Sequence, residues 1–245
     1  MSSKIKVGSE SPIVVIPALN EAVSLPRVLV ELQALKYDVV VIDDGSTDNT
    51  FEIAVAHGVE VLRLAVNLGV GGALRAGFRY AIEHGYSTVV QVDADGQHPV
   101  HQISNLLRFA TDSDSHLVIG SRYRSSEATL RPTVIRRLPM RMMSAIISLA
   151  SGVTITDATS GFRVIREPLL SEFAREFPTY YLGDTYEATL SAARAGYRIA
   201  EVPAALRTRE HGESSTSALR SVALVFKVLA TTILRLHPRL KPLHQ

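Results

Sequence analysis

Short unbroken apolar runs alternate with amphipathic stretches through the first half of the chain. The runs IVVIP (13–17), DVVVID (38–43), VEVLRLA (59–65), STVVQVD (87–93) and HLVIG (116–120) are rich in valine and isoleucine and predict buried strands. Between them, residues 25–35, 49–57, 71–84 and 100–110 repeat apolar positions at helical spacing. Strands that are apolar throughout are covered on both faces, and strands separated by helices pair in parallel. The pattern predicts an α/β protein, an open and mostly parallel sheet flanked by helices. The second half is less regular. It predicts a helix over 134–150, a short strand over 161–165, a helix over 184–195 and a strand over 197–203. A long amphipathic helix over 218–236 closes the pattern, so the expected organisation is one domain over 1–217 and an appended segment over 218–245.

Composition narrows the classes. The 245 residues include no cysteine, which excludes a disulfide framework and a thiolate metal site. The N-terminus lacks the apolar core of a signal peptide, and no stretch reaches the roughly 18 uncharged apolar residues of a membrane span. The expectation is a protein that does not cross the membrane. The net charge of +2 hides an asymmetry. Residues 1–119 hold 8 Lys/Arg against 14 Asp/Glu, and residues 120–245 hold the remaining 18 against 10. An acidic half suits a metal ion or sugar hydroxyls, and a basic half suits phosphates or an anionic surface. The small net charge, with no aromatics interleaved in the basic patch, argues against nucleic acid.

In open α/β sheets, ligands bind beyond the carboxyl ends of the strands. Four predicted strand ends carry polar clusters: PALNE (17–21), DDGSTD (43–48), DADGQH (93–98) and GSRYR (120–124). They should meet on one rim. In DADGQH, Asp93 and Asp95 offer hard oxygen ligands and Gln97 adds a neutral one, the chemistry of Mg²⁺ or Mn²⁺ shared with substrate phosphates. An Asx-type turn with solvated carboxylates is the plain alternative. Asp95, further past the strand, is expected to be the direct ligand. Asp93 is expected to touch the ribose side or to reach the metal through water. Asp43 and Asp44 can accept hydrogen bonds from a base or ribose hydroxyls, while Thr47 or Asp48 can cap the next helix. The glycines of GVGGALRAG (69–77) suit close packing of a helix on the sheet better than a phosphate loop.

The ordered set IPALNEA, VIDDGSTDNT, NLGVGGALRAGF, QVDADGQHP, IGSRY, TDATSGFRVI and REHGESS resembles family 2 glycosyltransferases over residues 12–217. The branch it looks most like is that of polyprenyl-phosphate sugar transferases such as dolichol-phosphate mannose synthase. The resemblance implies a GT-A fold, a nucleoside-diphosphate-sugar donor, a divalent metal at the D-x-D, and inversion at the anomeric carbon. It places Pro17, Ala18, Asn20, Glu21 and Ala94 with Asp43, Asp44 and Asp93 around the nucleotide sugar. Arg122 would lie near the donor phosphates or the acceptor. Asp157 takes the position of a catalytic base or an acceptor-orienting carboxylate, joined by Asp95 as the metal-side catalytic group. The lysine that follows the serine of G-x-S in the mannose-synthase pattern is absent here, where Ser214 is followed by Ser215.

A phosphate acceptor calls for cations. Arg122, Arg124, Arg131, Arg136, Arg137 and Arg141 crowd one segment, and Arg137 and Arg141 share a helix face at i, i+4. With Arg209 and Ser214, these arginines are the candidate acceptor-phosphate contacts, since the planar guanidinium matches a phosphate. The helices over 134–150 and 218–236 pair apolar faces with basic residues, as interfacial helices do. The expectation is transfer of a sugar to a polyprenyl phosphate by a protein peripheral to the cytoplasmic membrane face, a homodimer being left open. Transfer to a glycan or small soluble acceptor is the first rival. A non-catalytic nucleotide-binding or scaffold protein is the second.

Overall fold

The computed structural model describes residues 11–124, 134–179, 184–207 and 240–243, with the backbone alone over 134–139. The strands are β1 (Ile13–Ala18), β2 (Asp38–Asp43), β3 (Glu60–Arg63), β4 (Thr88–Gln91), β5 (Leu117–Ser121), β6 (Arg163–Arg166) and β7 (Ile199–Pro203). The helices are α1 (Leu25–Ala34), α2 (Thr50–Ala56), α3 (Gly69–Glu83), α4 (Ile103–Asp112), α5 (Val134–Ser151), α6 (Leu169–Glu176) and α7 (Asp184–Arg194). A 3-10 turn, Val100–Gln102, leads into α4.

One sheet runs in the order β3-β2-β1-β4-β6-β5-β7. Pairing is parallel except at β6, which runs antiparallel to both β4 and β5. Because β4 and β5 both oppose β6, they point the same way. The carboxyl ends of β1, β2, β4, β5 and β7 therefore share one rim, and β6 brings its amino end to that same rim. The reversed strand thus delivers the Asp157–Ser160 loop to the polar edge.

The apolar runs form the core on both faces, as continuous strands require. Phe78, Ile147, Phe173 and Leu190 cover one face, and Leu25, Leu29, Ile103 and Leu106 the other. Each such side chain contributes about 1.5–3 kcal/mol on burial. The glycines of α3 act as expected: a Cβ on Gly77 would lie 2.4 Å from Val15 Cγ1, so the helix sits where only glycine fits. Two features went unanticipated, the direction of β6 and the short helix α6. The strand expected over 87–93 ends at Gln91, and the one expected over 59–65 covers only Glu60–Arg63. The C-terminal tip returns to the fold: Lys241 N–H donates to Glu172 Oε2 and Leu243 N–H to the Ala195 carbonyl. The helix expected over 218–236 lies outside the described residues. Among the described residues no helix is long and apolar enough to cross a membrane.

Candidate active site

The acidic loop leaves β4 through a histidine. Asp93 N–H donates to His98 Nδ1 at 2.9 Å, and His98 Nε2 lies 3.4 Å from Asp93 Oδ2. An Nδ1 that accepts a backbone N–H carries no proton, so the ring proton sits on Nε2, near the carboxylate but outside hydrogen-bond geometry. The ring is buried against Phe162, with centroids 5.1 Å apart. His98 thus takes over the backbone of Asp93 where the ladder stops and aims its side chain. Asp95 Oδ1 accepts the Gln97 N–H at 3.0 Å, so the Asx turn weighed as the plain alternative is present, and it leaves both carboxylates on the rim. A strap crosses the loop. Arg207 N–H donates to the Gln97 carbonyl at 2.9 Å, and its guanidinium grips Glu31 at 2.7 and 3.0 Å. Burial alone would raise the Glu31 carboxyl, but hydrogen bonds from Arg207 and Arg27 outweigh it and hold it below the usual value.

The oxygen donors of Asp93, Asp95 and Gln97 fit a hard divalent cation that keeps water or substrate oxygens. Among the described residues no group of three or more acidic or histidine side chains gathers into a complete metal cage. A cation here would need the substrate to finish its shell.

Gly161 controls where Asp93 can sit. A Cβ at Gly161 would lie 2.7 and 2.8 Å from the two Asp93 carboxylate oxygens. Gly161→Ala should push that carboxylate aside and lower turnover on the order of 10²-fold, the usual cost of a misplaced group of about 1 Å. Steady-state kinetics check this, with metal-free nucleotide binding expected to stay unchanged.

The β1 and β2 loops are laced together. Asn20 adopts a left-handed backbone (φ 56°), which asparagine tolerates. Its Oδ1 accepts from Thr47 N–H at 2.8 Å, and its own N–H donates to Ser46 Oγ at 3.0 Å. Glu21 N–H donates to Thr50 Oγ1 and Ala22 N–H to Asp48 Oδ2, while the Glu21 carboxylate accepts from Ser24. Asp48 also accepts the Thr50 N–H just ahead of α2, but the N-cap residue is Asn49 and no side chain makes a capping bond, so the cap expected of Thr47 or Asp48 is not formed.

The acidic pair after β2 is buried. Asp44 accepts the Leu68 N–H at 2.7 Å at the entry to α3, and burial pushes its carboxyl up. Asp43 Oδ1 accepts the Ser46 N–H. Its Oδ2 is buried with no hydrogen-bond partner among the described residues, facing Arg63 Nε at 3.3 Å outside hydrogen-bond geometry. Ala18 and Ala94 turn their side chains into the core, so only their backbones can face a nucleotide. Pro17 is partly exposed on β1.

The basic side of the rim is built on one ion pair. Arg122 Nε and Nη2 donate to the two oxygens of Asp157 at 2.7 and 2.8 Å, and Arg122 N–H adds a third bond at 3.1 Å. Nη2 also reaches Thr159 Oγ1 at 2.9 Å. The Asp157 side chain is 0% exposed and that of Arg122 26%. Burial works against the guanidinium, but the hydrogen bond and charge of Asp157 outweigh it and raise the Arg122 pKa. Beneath this pair Arg163, 2% exposed, donates among the described residues only to neutral oxygens: the carbonyls of Ser160, Ala158 and Thr185, and Thr189 Oγ1. Burial pushes its pKa down to about 9, which leaves it charged at neutral pH, opposite Asp157, Asp93 and Asp184. It ties β6 and the Asp157 loop to α7.

Arg141 is exposed on α5. The side chain of Arg137, and all of Arg209 and Ser214, lie outside the described residues. His98, Gly161 and Arg163 were not singled out by sequence reasoning. A signal existed for Arg163, a charge inside an apolar strand (GFRVI).

The rim of this open α/β sheet thus carries carboxylates on one side and an Arg–Asp pair with a buried carboxylate on the other. The match is specific: the family model described as glycosyl transferase family 2 covers residues 13–173, and the chain belongs to that family. It is an enzyme of the glycosyltransferase class. An undecaprenyl-phosphate mannosyltransferase of Micrococcus luteus is 36% identical over 213 residues, covering 83% of this chain and 86% of that one. A polyprenol monophosphomannose synthase of Mycolicibacterium smegmatis is 33% identical, covering 90% and 86%. In fold, the chain resembles glucosyl-3-phosphoglycerate synthase from Mycobacterium tuberculosis, solved with Mn²⁺ and UDP. That likeness has a TM-score of 0.67 at 22% identity, covering 92% of this chain and 79% of that one.

Proposed function

We propose that this rim transfers a sugar from a nucleoside diphosphate to a polyprenyl phosphate, with inversion at the anomeric carbon. The observation that carries this proposal is the 36% identity over 213 residues to a protein named for transfer to a lipid phosphate. The loops after β1 and β2, with Asn20, Glu21, Asp43 and Asp44, would hold the nucleoside. Asp93, Asp95 and Gln97 would hold a divalent cation, which supplies charge neutralisation for the departing diphosphate. His98 and Gly161 keep Asp93 aimed there.

An acceptor phosphate oxygen would form the new bond to the anomeric carbon. The bond from that carbon to the diphosphate oxygen breaks, and the electron pair leaves with the nucleoside diphosphate. A phosphate monoester is largely ionised near neutral pH, so no proton has to be removed. That agrees with an Asp157 whose two oxygens are both taken by Arg122. Its role is to orient the guanidinium, whose Nη1 makes no hydrogen bond among the described residues and can meet the acceptor phosphate. Arg137, Arg141, Arg209 and Ser214 extend the acceptor side.

The same proposal accounts for the outer face of α5. Met143 and Ile147 are buried, while Met142 and Leu149 are exposed, Leu149 at 90%, beside exposed Arg141. An apolar face with basic residues suits an anionic lipid surface. Residues 1–217 would be the transferase domain and the helix expected over 218–236 a further interfacial segment at the cytoplasmic membrane face; the appended segment does not lie at the interface throughout 218–245, because residues 240–243 pack back on the domain.

A thermal-shift panel of nucleotide sugars, each with and without Mg²⁺ or Mn²⁺, tests the donor side. One donor should raise the melting temperature, and more so with the metal. A panel without any shift would contradict a nucleotide-sugar donor.

A further inference from the structure

Glu201 breaks the pattern of its own strand. Along β7, Ile199 faces one core and Val202 the other, so position 201 faces inward on the side of Ile199. Its register partner on β5 is Ile119, a core residue of that face. A glutamate whose side chain is 0% exposed stands where the alternation calls for an apolar residue. A buried carboxylate persists only when its oxygens are hydrogen-bonded.

Those bonds go to one place. Glu201 Oε1 accepts the Asp157 N–H at 2.7 Å and the Thr156 N–H at 2.9 Å. Oε2 accepts the Thr156 N–H and Thr156 Oγ1, both at 2.9 Å. Arg124 balances the charge, with Nε 3.8 Å from Oε2 and Nη1 donating to the Glu201 carbonyl at 2.6 Å. The carboxylate therefore grips the backbone of the residue whose side chain grips Arg122. Two Arg–carboxylate pairs, Arg122–Asp157 and Arg124–Glu201, are joined through one peptide N–H.

We infer that Glu201 is a positioning residue for the acceptor side, fixing the Asp157 backbone so that its carboxylate presents Arg122 to the acceptor phosphate. This rests on Asp157 and Arg122 acting on the acceptor. The hydrogen bonds of the Glu201 carboxylate go to Thr156 and Asp157, on the Arg122 side of the rim. Its loss should therefore be felt by the acceptor and not by the donor.

Glu201→Gln keeps the shape but turns an amide NH₂ toward N–H donors. The variant should lose about tenfold or more in kcat/KM for polyprenyl phosphate, the scale of one charged hydrogen bond. Its Kd for nucleoside diphosphate with Mn²⁺, measured by calorimetry, should stay within about twofold of the parent. Thr156→Val, which removes one donor to Oε2, should show a smaller loss of the same kind and serves if Glu201→Gln does not fold. Parent-like acceptor kinetics in both variants would overturn the inference. So would donor affinity and melting temperature falling in step with turnover, the mark of a merely structural role. Asp157→Asn separates the layers. An impaired Asp157→Asn beside a parent-like Glu201→Gln removes only the role of Glu201, whereas a fully active Asp157→Asn removes the reading beneath it.

Discussion

Asp95→Asn should lower metal-dependent turnover by about 10³-fold or more while leaving the fold intact. A metal ion contributes several kcal/mol to stabilising developing charge, and about 4 kcal/mol corresponds to roughly that factor. Asparagine keeps the Oδ1 that accepts the Gln97 N–H, so the turn of the loop survives. What it loses is the negative charge. The checks are turnover at saturating Mn²⁺ and a melting curve for the same sample. Turnover close to the parent's would remove Asp95 from the metal site. A collapsed melting temperature would show that its main work is to shape the loop.

Arg122→Ala should affect stability and turnover together, and a second substitution should part them. Asp157 is fully buried and holds Arg122 through both oxygens, so losing the guanidinium strands a carboxylate out of water. Breaking a buried pair from one side costs about 3–5 kcal/mol, which in a domain of this size lowers the melting temperature by on the order of 10 °C. Turnover should fall at least about 10²-fold, as for loss of one preorganised donor. The double variant Arg122→Ala with Asp157→Asn should regain most of the melting temperature, because no charge is left stranded. It should regain none of the activity. An active double variant would mean that the pair is structural only.

The sequence made much of this molecule readable because the apolar runs are covered on both faces. Continuous valine and isoleucine mark β1, β2, β4 and β5 unambiguously, and the polar clusters at their ends fall on one rim because those strands share a direction. The direction of β6 was not readable, since a short apolar run looks the same in either orientation. Only its two neighbours decide the pairing. Helix α6 is eight residues long and follows a proline, too short for a periodicity to stand out.

Side-chain duties were harder still. Asp44 looked like a ligand carboxylate at a strand tip, yet it reaches a backbone N–H twenty-four residues away at the start of α3. Arg163 and Glu201 bond across strands and loops far apart in sequence. The one local trace of either was a charge standing at an inward position. His98 lay in plain view beside the D-x-D, but its role depends on where the β4 ladder stops.

The central claim is sugar transfer to a lipid phosphate at this rim. The direct measurement incubates the full chain with a labelled nucleotide sugar, Mn²⁺ and polyprenyl phosphate, and counts label in the organic phase. Labelled lipid should form only when metal and polyprenyl phosphate are both present, and should vanish with Asp95→Asn. A donor that binds and turns over while the organic phase stays unlabelled, with product left in water, would contradict the lipid acceptor.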